Sequence, residues 1–191
     1  MKTSRNFNRM VMLVVMTATL SGMVACKNTP SDTGTTAKKM DKPSMDIFAA
    51  AFMGDIKAIS AHISIGTDLN QKDQFGSTPL IIATTFNKVE VAKALINAGA
   101  DLSVKSADGS TALHTAAFFC RGEIVESLIS HGADKSLTNN YGSTPLESVS
   151  GAFQDVKGIY EQINRDLGPL GLRLDLNYLE ENRPKMADLL K

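Results

Sequence analysis

Gly76-Ser77-Thr78-Pro79-Leu80, Gly109-Ser110-Thr111-Ala112-Leu113 and Gly142-Ser143-Thr144-Pro145-Leu146 set the rhythm of this chain. They begin at positions 76, 109 and 142, a spacing of 33 residues. Gly66-Thr67-Asp68, Gly99-Ala100-Asp101 and Gly132-Ala133-Asp134 repeat with the same spacing and in the same phase. Two unrelated motifs locked in one period over three copies mark an internal repeat. A period of 20–50 residues is the signature of a stacked array whose units each bury a face against the next.

The residues make each unit physically intelligible. Thr78 can cap a helix by accepting from its free N–H groups, and Pro79 at the first position has no N–H to leave unpaired. Thr144-Pro145 does the same. Small Ala83, Ala116 and Ala117 let neighbouring helices approach closely. A second helix carries Val91, Leu95 and Ile96 in one copy and Ile124, Val125, Leu128 and Ile129 in the next, each a single apolar stripe. Gly99 and Gly132 then end it in the left-handed conformation.

Thr111-Ala112-Leu113-His114-Thr115-Ala116-Ala117 completes the pattern, and with it the chain resembles the ankyrin-repeat family. The resemblance covers about residues 45–150. It implies an all-α ankyrin-repeat solenoid of helix-turn-helix units with short β-hairpin fingers, about four to five repeats including degenerate caps. The stretch from Leu69 to Phe75 and its equivalents would form the fingers. Before it, Pro43-Ser44-Met45-Asp46-Ile47 lacks the motif, but Ala50, Ala51, Gly54, Ile59 and Gly66 hold the phase, as in an N-terminal cap. After Gly142 the phase is lost. Val156, Ile159, Tyr160 and Ile163 keep a shifted helical stripe, and Pro184 to Leu190 resembles a second helix. Residues 151–191 therefore read as a divergent helical cap within a 45–191 domain.

The start of the chain is of another kind. Lys2, Arg5 and Arg9 precede the apolar run Met10–Leu20, which is too short for a permanent span of about 20 residues. Ser21-Gly22-Met23-Val24-Ala25-Cys26 follows and resembles the lipobox of bacterial lipoproteins, with Met23 where Leu is usual. The expectation is a signal peptide over 1–25, lipidation at Cys26 and a flexible polar tether over 26–44. Lys27, rather than Asp, after the cysteine favours the outer membrane with a periplasm-facing domain. The remaining alternative is ordinary cleavage that leaves Cys26 a free thiol.

Charge and motif content narrow the function. With 20 basic and 20 acidic residues the chain has no excess to neutralise phosphates, so nucleic acid is not an expected partner. There is no phosphate loop, no G-x-S-x-G, and no clustered Cys and His at zinc spacing, so no cofactor, metal or catalytic residue is expected. The resemblance implies a non-catalytic, monomeric module that binds a protein partner through its concave face and finger tips. Carried over residue by residue, the fingers contribute Phe75, Asp108, Asn140 and Tyr141, and the ends of the first helices contribute Phe52, Met53, Thr85, Phe86, Phe118 and Phe119. Five of those six helix-end positions are Phe or Met where water is expected, the composition of an interface core. The resemblance also implies that His114 ties neighbouring loops together.

Cys120 occupies a loop position equivalent to Gly54 and Asn87, where a left-handed backbone is expected. Either it is an accessible thiol open to oxidation, or a small residue tolerated at modest cost. Three further functions stay open: an envelope stress accessory protecting an exported enzyme, an enzyme hidden in 151–191 using Tyr160, Arg165 or Asp175, and a purely structural envelope tether.

Overall fold

The computed structural model describes residues 42–191. The export segment, Cys26 and the tether up to position 41 lie outside the described residues. Four two-helix units stack in order. The first pairs α1 (Ile47–Met53) with α2 (Ile56–Ser64), the second α3 (Pro79–Thr85) with α4 (Val89–Asn97), and the third α5 (Ala112–Phe118) with α6 (Gly122–Ser130). The last unit begins with a one-turn α7 (Glu147–Ser150) and ends with α9 (Leu176–Leu190). Between them stand α8 (Phe153–Leu167) and a 3-10 turn (Gly168–Leu170). Helices α1, α3, α5 and α7 form an inner row, while α2, α4, α6 and α9 form an outer one.

The caps explain where the helices start. Thr78 accepts from Ile81 N–H at 3.2 Å ahead of Pro79. Thr111 and His114 cap α5 reciprocally. Asp46 and Asp55, accepting two backbone N–H groups each, do the same work in the first unit, where the Thr-Pro motif is missing. Thr144 and Glu147 also cap one another, with Thr144 N–H donating to the Glu147 carboxylate at 2.7 Å. The inner helix they start lasts one turn, because the chain turns to extended backbone at Gly151 and leaves for α8.

Alanine sets the spacing within the rows: Ala50, Ala51, Ala83, Ala116 and Ala117 are completely buried. Leu95, Leu113, Ile124 and Leu128 fill the space between rows at 0–1% exposure, each contributing about 1.5–3 kcal/mol of burial.

The fingers are hairpin turns, and no strand ladder forms among the described residues. Each closes on the same two backbone bonds, Asp73 N–H to Ser77 carbonyl and Gly76 N–H to Asp73 carbonyl in the first. Successive fingers are joined mostly by side chains, which is why no ladder is needed. Lys72 Nζ donates to the Lys105 carbonyl and Lys105 Nζ to the Thr138 carbonyl, both at 2.7 Å.

The C-terminal segment departs from the sequence reading in one respect. Helix α9 starts eight residues before Pro184, where the Asp175 carboxylate accepts from Asn177 and Tyr178 N–H. Pro184 lies inside the helix rather than at its start.

Candidate functional site

The row of helix-end aromatics divides in two. Phe52 and Phe86 meet edge to face, ring centroids 4.6 Å apart, at the N-terminal end of the inner row. Both are half-buried, and Met53 beside them is 63% exposed. Thr85 is half-buried, its hydroxyl donating back to the Ile81 carbonyl. Phe118 and Phe119 lie in the next unit and belong to different surroundings. Phe118 stacks against Tyr160 of α8, centroids 4.6 Å apart, and Tyr160 in turn stacks against Phe153.

Phe119 corrects the expectation of an open row. It is 7% exposed, pinned edge-on by Phe118 and covered by the Arg121 guanidinium 5.7 Å from its centroid. The period places Phe119 at the end of an inner helix but does not show that Phe118 and Arg121 beside it cover its ring.

Cys120 is corrected in the same way. Its backbone is left-handed as expected, φ 52°, matching φ 53° at Asn87 and φ 80° at Gly54. The thiol, however, is 1% exposed and lies beneath α9, with Sγ 4.0 Å from the Leu179 carbonyl. Burial pushes it up to about 11, so the thiolate that oxidation or disulfide exchange requires is scarce. In a Cys26→Ser chain at pH 8, a maleimide should label Cys120 at least about a hundredfold more slowly when folded than in urea. Comparable rates would restore the redox reading.

Between the fingers, α5 and α8 lies a cavity of about 440 Å³. Phe118 forms one wall, and Val156, Ile159, Ile163 and Leu167 of α8 form the opposite one. Asp108 and Tyr141, expected as finger contacts, line it together with Phe119 and His114. Phe52, Met53, Phe75, Thr85, Phe86 and Asn140 lie outside it. Phe75 is half-buried, its N–H held by the Asp73 carboxylate. Asn140 is exposed and joins fingers: its N–H donates to the Asp108 carbonyl and its side-chain amide to the Ala107 carbonyl.

His114 ties loops as the resemblance implies. Its Nδ1 accepts from Thr111 N–H at 3.2 Å, which leaves the proton on Nε2 to donate to the Ser143 carbonyl at 2.9 Å. Burial holds its pKa below the ordinary value, so the ring is neutral. His62 plays a similar part unforeseen from the sequence. It is buried, with Nε2 2.8 Å from the Met45 carbonyl and Nδ1 3.0 Å from the Thr67 hydroxyl.

The residues considered for catalysis are occupied structurally. Tyr160 donates to the Phe118 carbonyl at 2.6 Å and accepts from Arg183 at 2.8 Å. Asp175 caps α9, and Arg165 donates to Gln162. Among the described residues no three His, Cys, Asp or Glu side chains converge to hold a metal ion, and no helix is long and apolar enough to cross a membrane. The apolar stripe of α8 was visible in the sequence at 156, 159, 160 and 163, but not what it would face, nor that Leu167 extends it.

Comparison with known proteins agrees with this architecture. The ankyrin-repeat family model matches residues 47–139 in three copies. The crystal structure of the ankyrin repeat domain of Bcl-3, a unique member of the IkappaB protein family, is similar with a TM-score of 0.52 and 29% identity. That match covers 53% of this chain and 45% of the Bcl-3 chain, so the likeness spans less than half of that domain's length. No curated protein sequence matches the chain. The fold is an all-α ankyrin-repeat solenoid, and ankyrin repeats are protein-interaction modules.

Proposed function

We propose that this chain is a non-catalytic protein-binding module, exported and held at a membrane by a lipid on Cys26, which engages a protein partner along its inner face and finger tips. The observation that carries the reading is the apolar surface left accessible on the inner row and the fingers. Met53 at the end of α1 and Tyr141 on the third finger are 63% and 37% exposed. Large apolar groups exposed at such positions are the composition of a recognition surface. The export half of the proposal stands on the apolar run at Met10–Leu20 and the lipobox-like sequence before Cys26.

A photo-crosslinking residue at Met53 or Tyr141 of the full chain, activated in intact cells, should yield one dominant protein adduct at each position. An absence of adducts at both, in a chain that folds, would overturn the binding reading. Radiolabelled palmitate should be incorporated by the native chain and not by Cys26→Ser. Equal incorporation would remove the lipid anchor from the proposal.

A further inference from the structure

Helix α8 is additional to the two-helix unit, and the way it is held suggests a use. Its fixed points are Tyr160, stacked on Phe118, and Asn164, whose side chain both accepts from Leu174 N–H and donates to the Leu174 carbonyl at 2.9 Å. An α8 that only sealed the core would bury its stripe directly on α5. Instead Val156, Ile159 and Leu167 remain half-exposed across the 440 Å³ cavity. That volume lies within the range of about 300–1,000 Å³ typical of ligand sites, and its walls are mostly apolar, as those sites are.

The charged side chains that line the cavity have one sign, although Arg121 and Lys105 stand behind its Phe119 and His114 walls. Asp108, Glu147 and Asp166 all line it, and no lysine or arginine does. The hydrogen bonds these carboxylates make are to neutral groups. Asp108 accepts from Ser106 and Ser110, Glu147 from Thr144, and Asp166 from Gln162. The ion pairs formed among the described residues, Lys93–Glu123 and Lys191–Asp188, involve none of them. His114 is neutral and offers no compensation. Three carboxylates over low-dielectric walls give a negative field that draws cations towards the apolar space.

We propose that this cavity, on the protein-binding reading above, receives a short segment of the partner in which large apolar side chains sit beside lysine or arginine. The apolar side chains enter between Phe118 and the α8 stripe. The neighbouring cation meets Asp108, Glu147 and Asp166 at the rim. A charge-complementary rim selects and steers such a segment, while the apolar walls hold it.

The test uses two fluorescein-labelled nonapeptides, one alternating leucine with lysine and one alternating leucine with glutamate, titrated with the full chain and followed by anisotropy. The leucine–lysine peptide should bind at least about tenfold more tightly at low salt, and the preference should shrink as salt rises. D108N/E147Q/D166N should reduce the preference to about threefold or less. Ile159→Lys should abolish binding of the cationic peptide while its thermal melt confirms the fold. Equal affinity for the two peptides, or undiminished binding by Ile159→Lys, would overturn the assignment. Met53 lies outside the cavity. An adduct there combined with failure of the peptides would therefore sink the cavity proposal alone.

Discussion

Tyr160→Ala is expected to lower the unfolding free energy by about 4 kcal/mol, the loss typical of a fully buried aromatic ring. Tyr160 has no exposed surface and reaches two other elements. From α8 its hydroxyl donates to the Phe118 carbonyl on α5 at 2.6 Å and accepts from Arg183 Nη1 on α9 at 2.8 Å. Arg183 is itself 3% exposed, and its Nη2 donates to the Gly151 carbonyl where α7 gives way to α8. Its Nε has no hydrogen-bond partner, so the guanidinium depends on the contacts it keeps. Burial pushes the phenol up to about 12, so the hydroxyl stays protonated and able to donate.

Tyr160→Phe isolates the hydroxyl. It keeps the stacking on Phe118 and Phe153 and leaves two buried polar partners unpaired, at an expected cost of about 2 kcal/mol. Equilibrium unfolding in urea followed by circular dichroism would measure both variants. Arg183→Met should cost markedly less in the Tyr160→Phe background than in the native chain, because the two changes break one network. A Tyr160→Phe chain as stable as the native one would show that the hydroxyl does not clamp α8.

What could be read from the sequence was whatever recurs. The Thr-Pro starts, the alanine contacts, the left-handed glycines and the His114 bridge repeat with a 33-residue period or occupy a family position, so each copy supports the others. What repeats cannot reveal is an insertion. Helix α8 interrupts the last unit between its inner and outer helices, and its stripe has no counterpart from which to infer a direction. That is why Asp108 and Tyr141 were legible as finger residues while the cavity they share with Ile159 and Ile163 was not. Phe119 and Cys120 illustrate the converse. Their backbone positions followed from the period, but their burial is imposed by the Arg121 side chain and by the path of α9, neither of which the period determines. In α9 the familiar equation of proline with a helix start misled, because Asp175 provides an earlier cap.

The junction between the second and third fingers supplies the second large expected effect, through Gly109→Ala. Gly109 has φ +77°, and an alanine held there carries a left-handed strain of about 1–2 kcal/mol. Strain is only part of the cost. A Cβ at this position would lie 2.6 Å from the Asn140 backbone nitrogen, and the Asn140 side chain blocks it as well. Asn140 could move only by giving up its bonds to the Asp108 carbonyl, 2.9 Å, and the Ala107 carbonyl, 3.1 Å. Losing those in addition brings the expected total to about 3 kcal/mol.

Gly99→Ala separates the two contributions. Gly99 has φ +85°, yet an added Cβ would meet nothing within 4 Å, so only strain of about 1–2 kcal/mol applies. The difference between the two variants in urea unfolding measures the finger junction itself. The same displacement should be felt at the cavity, because Asp108 lies between the clash and the rim while Tyr141 follows Asn140 directly. Gly109→Ala should therefore weaken binding of the leucine–lysine peptide under conditions where both variants remain folded, and Gly99→Ala should leave it unchanged. Equal losses of stability in the two variants would mean that the fingers slide past one another freely, and that the rim is not held in place by the contact between them.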